Sequence, residues 1–534
     1  MTAGEVWPAH KRDPAMGCGG GCTVKRVDAP TRPPSPNGPA SPPKIMLTEY
    51  RQRFADYIYS INDDGYQRCR SQKGLRGRVS IFSEQRDLFT RSCIDELRRG
   101  EGEASAREKP GWQRMLVFAI DGYLASAVLE IEVEILRLMG DLRVQADPTP
   151  IDELLGARTE EMTRAAQALG YADVTSLRAQ LDGVDYQLLV RTGRRLLAAT
   201  EKMAYRSAER VIKRELRQSS MGLTREALAT WGQLAEARSH LSNETRRIRY
   251  SDLCAGLGFR VDQQVGTEYF EVKVRPAGRS GPGEWPDEQL VWALRVPGLI
   301  KAGFLSVDGR YGERAFWQMA GATQMAAWTS ADLPVEYRHQ AGPADAALPL
   351  AWGMLFEHLL LDARWLAIPF GYADTHLFRE GMAAVRLFEI RQAAAQLIFE
   401  YEYLTGLASG RAAERYRELL STALLADVDP SDFLRAMGRI RGSGCCPLVS
   451  PIGTRPLAAA GLLRAAAFES QCQEHLRSSY GLEWWKNRRA GDSLIDLWNT
   501  GYRYRPEELA PMAGFGTLEY EQLIAAMVEG GNIE

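Results

Sequence analysis

Residues 291–328 read VWALRVPGLIKAGFLSVDGRYGERAFWQMAGATQMAAW. Two short apolar runs, Val291 to Leu294 and Phe304 to Val307, stand on either side of Pro297-Gly298. Runs of that length bounded by turn residues are strand signals. Just upstream, Phe270, Val272 and Val274 alternate with Glu271, Lys273 and Arg275, the period-two pattern of a half-buried strand. The spacing predicts a small sheet in the middle of the chain, followed by a helix that carries Gln318-Met319-Ala320-Gly321-Ala322-Thr323-Gln324-Met325.

On both sides of this region the pattern is helical. Leu387, Ile390, Ala394, Leu397, Ile398, Tyr401 and Leu404 form one apolar stripe. Met162, Ala165, Ala166 and Leu169 repeat at helical spacing from Thr159 and stop at Gly170. Asp429-Pro430-Ser431-Asp432 reads as an N-cap, a proline at the first helical position and an acid two residues on, ahead of Phe433 and Leu434. The fold class is therefore mainly α, a helical body around one small sheet, without internal repeats. Residues 1–45 differ: Ala29 to Pro43 is too rich in proline for helix or sheet, so a disordered tail is expected there. The tail holds Cys18-Gly19-Gly20-Gly21-Cys22, two thiols with no second Cys or His pair nearby, a weak metal or disulfide signal.

The 534 residues are enough for two to four domains or one large helical body, and 45% apolar content fills a core. With 66 basic against 68 acidic residues the net charge is −2. A chain so nearly neutral is not held to nucleic acid or an anionic membrane by a general field, so neither is an expected partner. Met1 to Pro14 has no apolar run of the signal-peptide kind. The most apolar stretch, Met115 to Met139, carries Asp121, Glu130, Glu132 and Glu134, which suits a buried helix and not a membrane span. A cytoplasmic protein with reduced cysteines is expected from eight Cys in so long a chain.

Three segments resemble the oligoendopeptidase F/thimet oligopeptidase-like family of zinc metallopeptidases. The first is Arg295-Val296-Pro297 through Val307-Asp308-Gly309-Arg310-Tyr311. The second is Ala320-Gly321, Ala327-Trp328-Thr329-Ser330 and Leu355-Phe356-Glu357-His358-Leu359. The third runs through Leu463-Arg464-Ala465, Tyr480-Gly481-Leu482-Glu483-Trp484-Trp485 and Leu497-Trp498-Asn499-Thr500-Gly501. The resemblance implies an elongated, two-lobed helical body around a peptide channel. Its divisions would be the tail at 1–45, an N-terminal helical lobe at 46–250 and a zincin-like lobe at 251–534. It also implies zinc as cofactor, gripped by H-E-x-x-H on the helix after the sheet. Residues four apart lie one above the other on a helix, so two imidazoles reach one ion, while the glutamate takes a proton from its water.

None of that chemistry is present at the matching positions. Gln318 stands at the first ligand, Met319 at the general base and Ala322 at the second ligand. The third, acidic ligand falls within Ala347-Leu348-Pro349-Leu350, best at Leu350, and a tyrosine the family often carries beside Leu-Arg-Ala is Leu462. A structural zinc site is worth roughly 10–16 kcal/mol, supplied by nitrogen, sulfur or carboxylate donors. Methyl and isobutyl groups donate nothing, and methionine is no base. No cofactor and no catalytic residue are therefore expected.

Of six histidines, none pairs with another His or Cys at i, i+4. Arg338, His339, His358, Tyr502 and Tyr504 are the polar residues expected to line the former cleft. Cys445-Cys446 reads as ordinary thiols, and Trp484, Trp485 and Trp498 as core. The basic runs Arg206–Arg217 and Arg246-Arg247-Arg249 read as solvated helix faces. The expected function is a non-catalytic homologue of a zinc oligopeptidase that binds peptide or protein in the old channel or partners a homologous subunit. The alternatives are an enzyme with relocated, non-zinc chemistry on this scaffold, for example in natural-product biosynthesis, and a weak residual metallopeptidase.

Overall fold

The computed structural model describes residues 47–71, 77–139, 149–209, 243–264, 266–272, 290–305, 309–367, 375–407, 411–428 and 456–530. Cys18, Cys22, Asp429–Asp432, Cys445, Cys446 and most of the Arg206–Arg217 run lie outside them. The chain is mainly α. Its first part holds α1 (Leu47–Ser71), α2 (Arg78–Glu84), α3 (Arg91–Glu103), α4 (Lys109–Met139), α5 (Thr149–Ala168), α6 (Val174–Asp182), α7 (Tyr186–Ala199) and α8 (Glu201–Ser207). Helix α9 (Asn243–Gly256) leads to the strands β1 (Thr267–Val272), β2 (Val291–Arg295) and β3 (Leu299–Leu305). Then follow α10 (Gly309–Trp328), α11 (Val335–Arg338), α12 (Ala347–Glu357), α13 (Ala363–Ala367) and α14 (Thr375–Leu404). The last part holds α15 (Ala412–Leu424), α16 (Ala460–Tyr480), α17 (Arg488–Asn499), α18 (Pro506–Met512) and α19 (Tyr520–Gly530).

The sheet forms where the alternation predicts it. β3 lies in the centre, parallel to β1 and antiparallel to β2, with Thr267 opposite Ile300 and Val291 opposite Ala302. β3 starts at Leu299, earlier than its apolar run suggests, because Pro297-Gly298 makes a tight hairpin that brings Leu299 opposite Arg295. Helix α1 covers β2: Tyr66 packs edge-on to Trp292, and Asn62 Nδ2 donates to the Ala293 carbonyl at 3.2 Å.

The apolar stripes become two large cores. One is built by α1 to α6 around Phe54, Tyr57, Phe89 and Phe118, whose rings meet edge-on. The other runs from α7 to α19 and takes in the stripe of α14, with Leu387, Ile390, Ala394, Leu397 and Ile398 buried. Helix α5 begins at Thr149, well before Thr159, and Gly170 beyond its end has a φ of 94°, which only glycine adopts at little cost. Helix α4 carries its acids inside the protein: Asp121 pairs with the buried Arg178 at 2.6 Å, and Glu132 is buried. Among the described residues no helix is long and apolar enough to cross a membrane.

Trp484, Trp485 and Trp498 are fully buried, as their composition suggests. The basic run at 246–249 is a correction. Arg247 is exposed, but Arg246 and Arg249 are buried, and Arg246 Nε meets Glu313 Oε1 at 2.8 Å, tying α9 to α10. A run of arginines on a helix satisfies the solvated-face pattern equally well when a buried acid waits on another element, and spacing does not reveal that acid.

Candidate functional site

The helix after the sheet, α10, packs against α12 more closely than ordinary side chains allow. A Cβ on Gly321 would strike the Trp352 carbonyl, and one on Gly353 would meet the backbone of Gln318 at 2.7 Å. Small residues at 320, 321, 322 and 353 therefore bring the two backbones together, and side chains flanking that contact meet across it. Gln318 Nε2 donates to Glu357 Oε2 at 2.6 Å. Arg314, one turn before Gln318, places Nε 3.0 Å from Glu357 Oε1 and also pairs with Glu389 on α14. Three residues before Glu389, Arg386 pairs with Glu469 of α16, and the other oxygen of Glu469 lies 2.8 Å from His358 Nδ1. The result is a line of charge through four helices, in which Glu357 and Glu469 are buried. Burial works against ionisation of Glu469, but Arg386 and His358 outweigh it and hold the carboxyl below its ordinary value.

Beyond Gln318, the other expected positions are apolar and packed. Met319 is buried, with its carbonyl and sulfur receiving the Thr323 hydroxyl. Ala322 and Leu350 are buried, and Leu462 is half-buried against the main core. At the far end of α10, Gln324 donates to Tyr250 and accepts from Trp328 Nε1 at 3.0 Å and Gln264 Nε2 at 2.6 Å, while Tyr250 and Tyr269 join their hydroxyls at 3.0 Å. Those polar groups are paired with one another.

The five residues expected along the former cleft divide between separate surroundings. Arg338 Nη1 donates to the Val296 carbonyl at 3.1 Å, beside the hairpin of the sheet. His339 follows it and is buried edge-on to Phe54. Tyr502 joins this neighbourhood through its backbone, whose N–H donates to the Tyr337 carbonyl at 2.7 Å. Tyr504 lies under the Arg503 guanidinium, 5.4 Å from the ring centre. His358 belongs to the charged line instead, a quarter exposed beside Glu469. Arg314, Glu389, Arg386 and Glu469 escape sequence reading because their partners lie 43 to 111 residues away, on other elements; an arginine or glutamate at a mostly apolar helix face is the single local signal.

Burial, with Arg338 beside it, pushes the His339 imidazole down to about 3. The folded protein therefore keeps His339 neutral while the unfolded chain protonates it near 6.5. Neutral His339 favours folding fully above pH 6.5, and that contribution is lost as pH falls from 6.5 toward 3. His339→Gln is expected to gain stability relative to the native protein across that window; parallel urea titrations at pH 7 and pH 4 check it, and an equal difference at both values would refute it.

The residues at the expected zinc positions do not fit the metal. They offer an amide, a thioether, a methyl and an isobutyl group, and the amide N–H is already committed to Glu357. Among the described residues no group of three His, Cys, Asp or Glu side chains is placed to hold a metal ion.

No protein-family model matches this sequence, and no curated protein matches it. Solved structures do. An M32 carboxypeptidase from Deinococcus radiodurans is 12% identical, with a TM-score of 0.59 over 91% of this chain and 99% of that one. A Pyrococcus furiosus carboxypeptidase is 12% identical with a TM-score of 0.57, covering 91% and 98%. Metallocarboxypeptidase 1 of Trypanosoma cruzi is 11% identical with a TM-score of 0.54, covering 91% and 99%. The chain has a metallopeptidase-like helical fold. The names are those of carboxypeptidases, and at 11–12% identity the likeness shows the fold without singling out the oligoendopeptidase branch.

Proposed function

We propose that this chain is a non-catalytic relative of the zinc peptidases, akin to the oligoendopeptidase F/thimet group, that holds a peptide or protein segment in the former substrate channel without cutting it. The observation that supports this is the state of α10: Gln318 is bonded to Glu357, and Met319 and Ala322 are buried where a base and a ligand would stand. In this reading a peptide is held by groove contacts and not by a metal ion. A homologous subunit is the second kind of partner the reading allows. Because the similar solved structures are named as carboxypeptidases, peptides with a free C-terminal carboxylate are the first ligands to try.

The full chain, supplied with zinc and dialysed against metal-free buffer, is expected to retain far less than one equivalent by elemental analysis. Fluorescent peptides with free and with amidated C-termini are expected to bind by anisotropy and to be recovered uncut by mass spectrometry. Retention of a full equivalent of zinc, or cleavage of the peptides that a chelator stops, would overturn the proposal.

A further inference from the structure

Away from the Gln318 contact, one side chain has the surroundings of a nucleophile. His358 follows the last turn of α12, and its Nδ1 lies 2.8 Å from Oε1 of Glu469 on α16. Glu469 is completely buried, and its other oxygen pairs with Arg386 of α14. An ionised carboxylate only accepts, so the hydrogen between the two groups belongs to Nδ1, and the lone pair of the neutral ring is at Nε2. Nδ1 is buried while the His358 side chain is 26% exposed, so the exposure falls on the rest of the ring. The other described histidines differ. His339 is buried against Phe54, His376 meets Glu380 at 3.8 Å, and His475 Nε2 faces the Ser479 hydroxyl at 3.5 Å.

A carboxylate fixed on Nδ1 sets the tautomer of an imidazole and offsets the positive charge the ring gains when Nε2 forms a bond. Arg386 holds that carboxylate ionised from its far side. The groups His358 meets are a carboxylate and a guanidinium, neither of which it could activate for attack, so the ring itself is the nucleophile. We propose that His358, oriented by Glu469, accepts acyl groups at Nε2 from small activated esters and thioesters, without a metal. Nε2 attacks the carbonyl carbon, the bond from that carbon to the leaving oxygen or sulfur breaks, and the leaving group takes the electron pair. Water then attacks the acyl carbon, the carbon–nitrogen bond breaks, and its electron pair returns to Nε2 as the carboxylic acid departs. An amine leaves far less readily than a phenolate or thiolate, so peptide bonds are not substrates, and the activity is compatible with a chain that holds peptides uncut. Glu469 is a positioning residue and His358 the catalytic one.

The test uses the full chain with p-nitrophenyl acetate in the presence of a chelator. Saturable hydrolysis is expected. His358→Gln is expected to lower kcat/KM by about 100-fold, the lower end of what a positioned acid–base group contributes. His376→Gln, at a histidine that is 47% exposed, leaves it unchanged. Glu469→Gln is expected to lower kcat while KM stays, and free imidazole to restore part of the rate of His358→Ala. Labelling of the native chain with diethyl pyrocarbonate, mapped by peptide mass spectrometry, gives a reading that no variant's folding affects: His358 is expected to react before the more exposed His376. The proposal is overturned if hydrolysis is indifferent to His358→Gln, if the chelator abolishes it, or if His376 is labelled first. These outcomes are separate from the fate of the proposed function, which falls if the native chain retains zinc or cuts peptides.

Discussion

Arg246→Met is expected to lower the unfolding free energy by about 3–5 kcal/mol, as losing one partner of a buried ion pair does. Arg246 and Glu313 are both about 1% exposed at the side chain, and Nε lies 2.8 Å from Oε1. The other oxygen of Glu313 accepts from Trp317 Nε1 at 3.0 Å, and Arg246 Nη1 donates to Asn243 Oδ1 at 2.6 Å. Methionine fills much of the arginine's volume but leaves Glu313 charged and buried. The loss therefore comes mostly from the stranded carboxylate, and Arg246→Met with Glu313→Leu is expected to recover a good part of it. Urea titrations of the native chain, the single and the double variant decide the matter. A single variant within about 1 kcal/mol of native, the range of exposed pairs, would mean the pair is reached by water.

Gly321→Ala reverses the usual sign of its substitution. In an open helix interior alanine is better than glycine by roughly 0.5–1 kcal/mol. At Gly321 the new methyl would run into the Trp352 carbonyl and the Gly353 Cα, which are helix backbone and cannot rotate away. Separating α10 from α12 would also pull Gln318 from Glu357. A loss of about 3 kcal/mol, the upper part of the overpacking range, is expected. Gly156 of α5 supplies the control, since nothing lies within 4 Å of a Cβ built there. Gly156→Ala is expected to raise the midpoint of thermal unfolding while Gly321→Ala lowers it. Two shifts of the same sign would show that the contact between α10 and α12 is looser than described.

The sheet and the helix behind it were legible because their signals are local. Alternation at 270–272 and the turn at Pro297-Gly298 bound strands whatever surrounds them, and the stripe of α14 needs only a period of 3.6. The start of α5 and the first residues of β3 were less so, since an element's edge depends on capping and pairing partners as much as on its own pattern. That α10 carries Gln318, Met319 and Ala322 was legible at once, because it is a matter of residue identity. The meaning of Arg246 and Arg249 was not, because the same arginines suit water or a buried acid, and Glu313 is far away in sequence.

What the amino-acid sequence alone determines is chemical type and period: a mainly helical chain, a small central sheet, and a helix after it that carries an amide, a thioether and a methyl at Gln318, Met319 and Ala322. What tertiary structure decides is which charges are inside and whom they meet. Glu357 joins Gln318 and Arg314 only because two glycines let α10 and α12 approach, and His358 faces Glu469 only because α16 lies alongside. Hydrophobic period is written residue by residue, whereas the pairing of buried polar groups follows from contacts between segments remote in the chain. That is the physical reason one was readable and the other had to be seen.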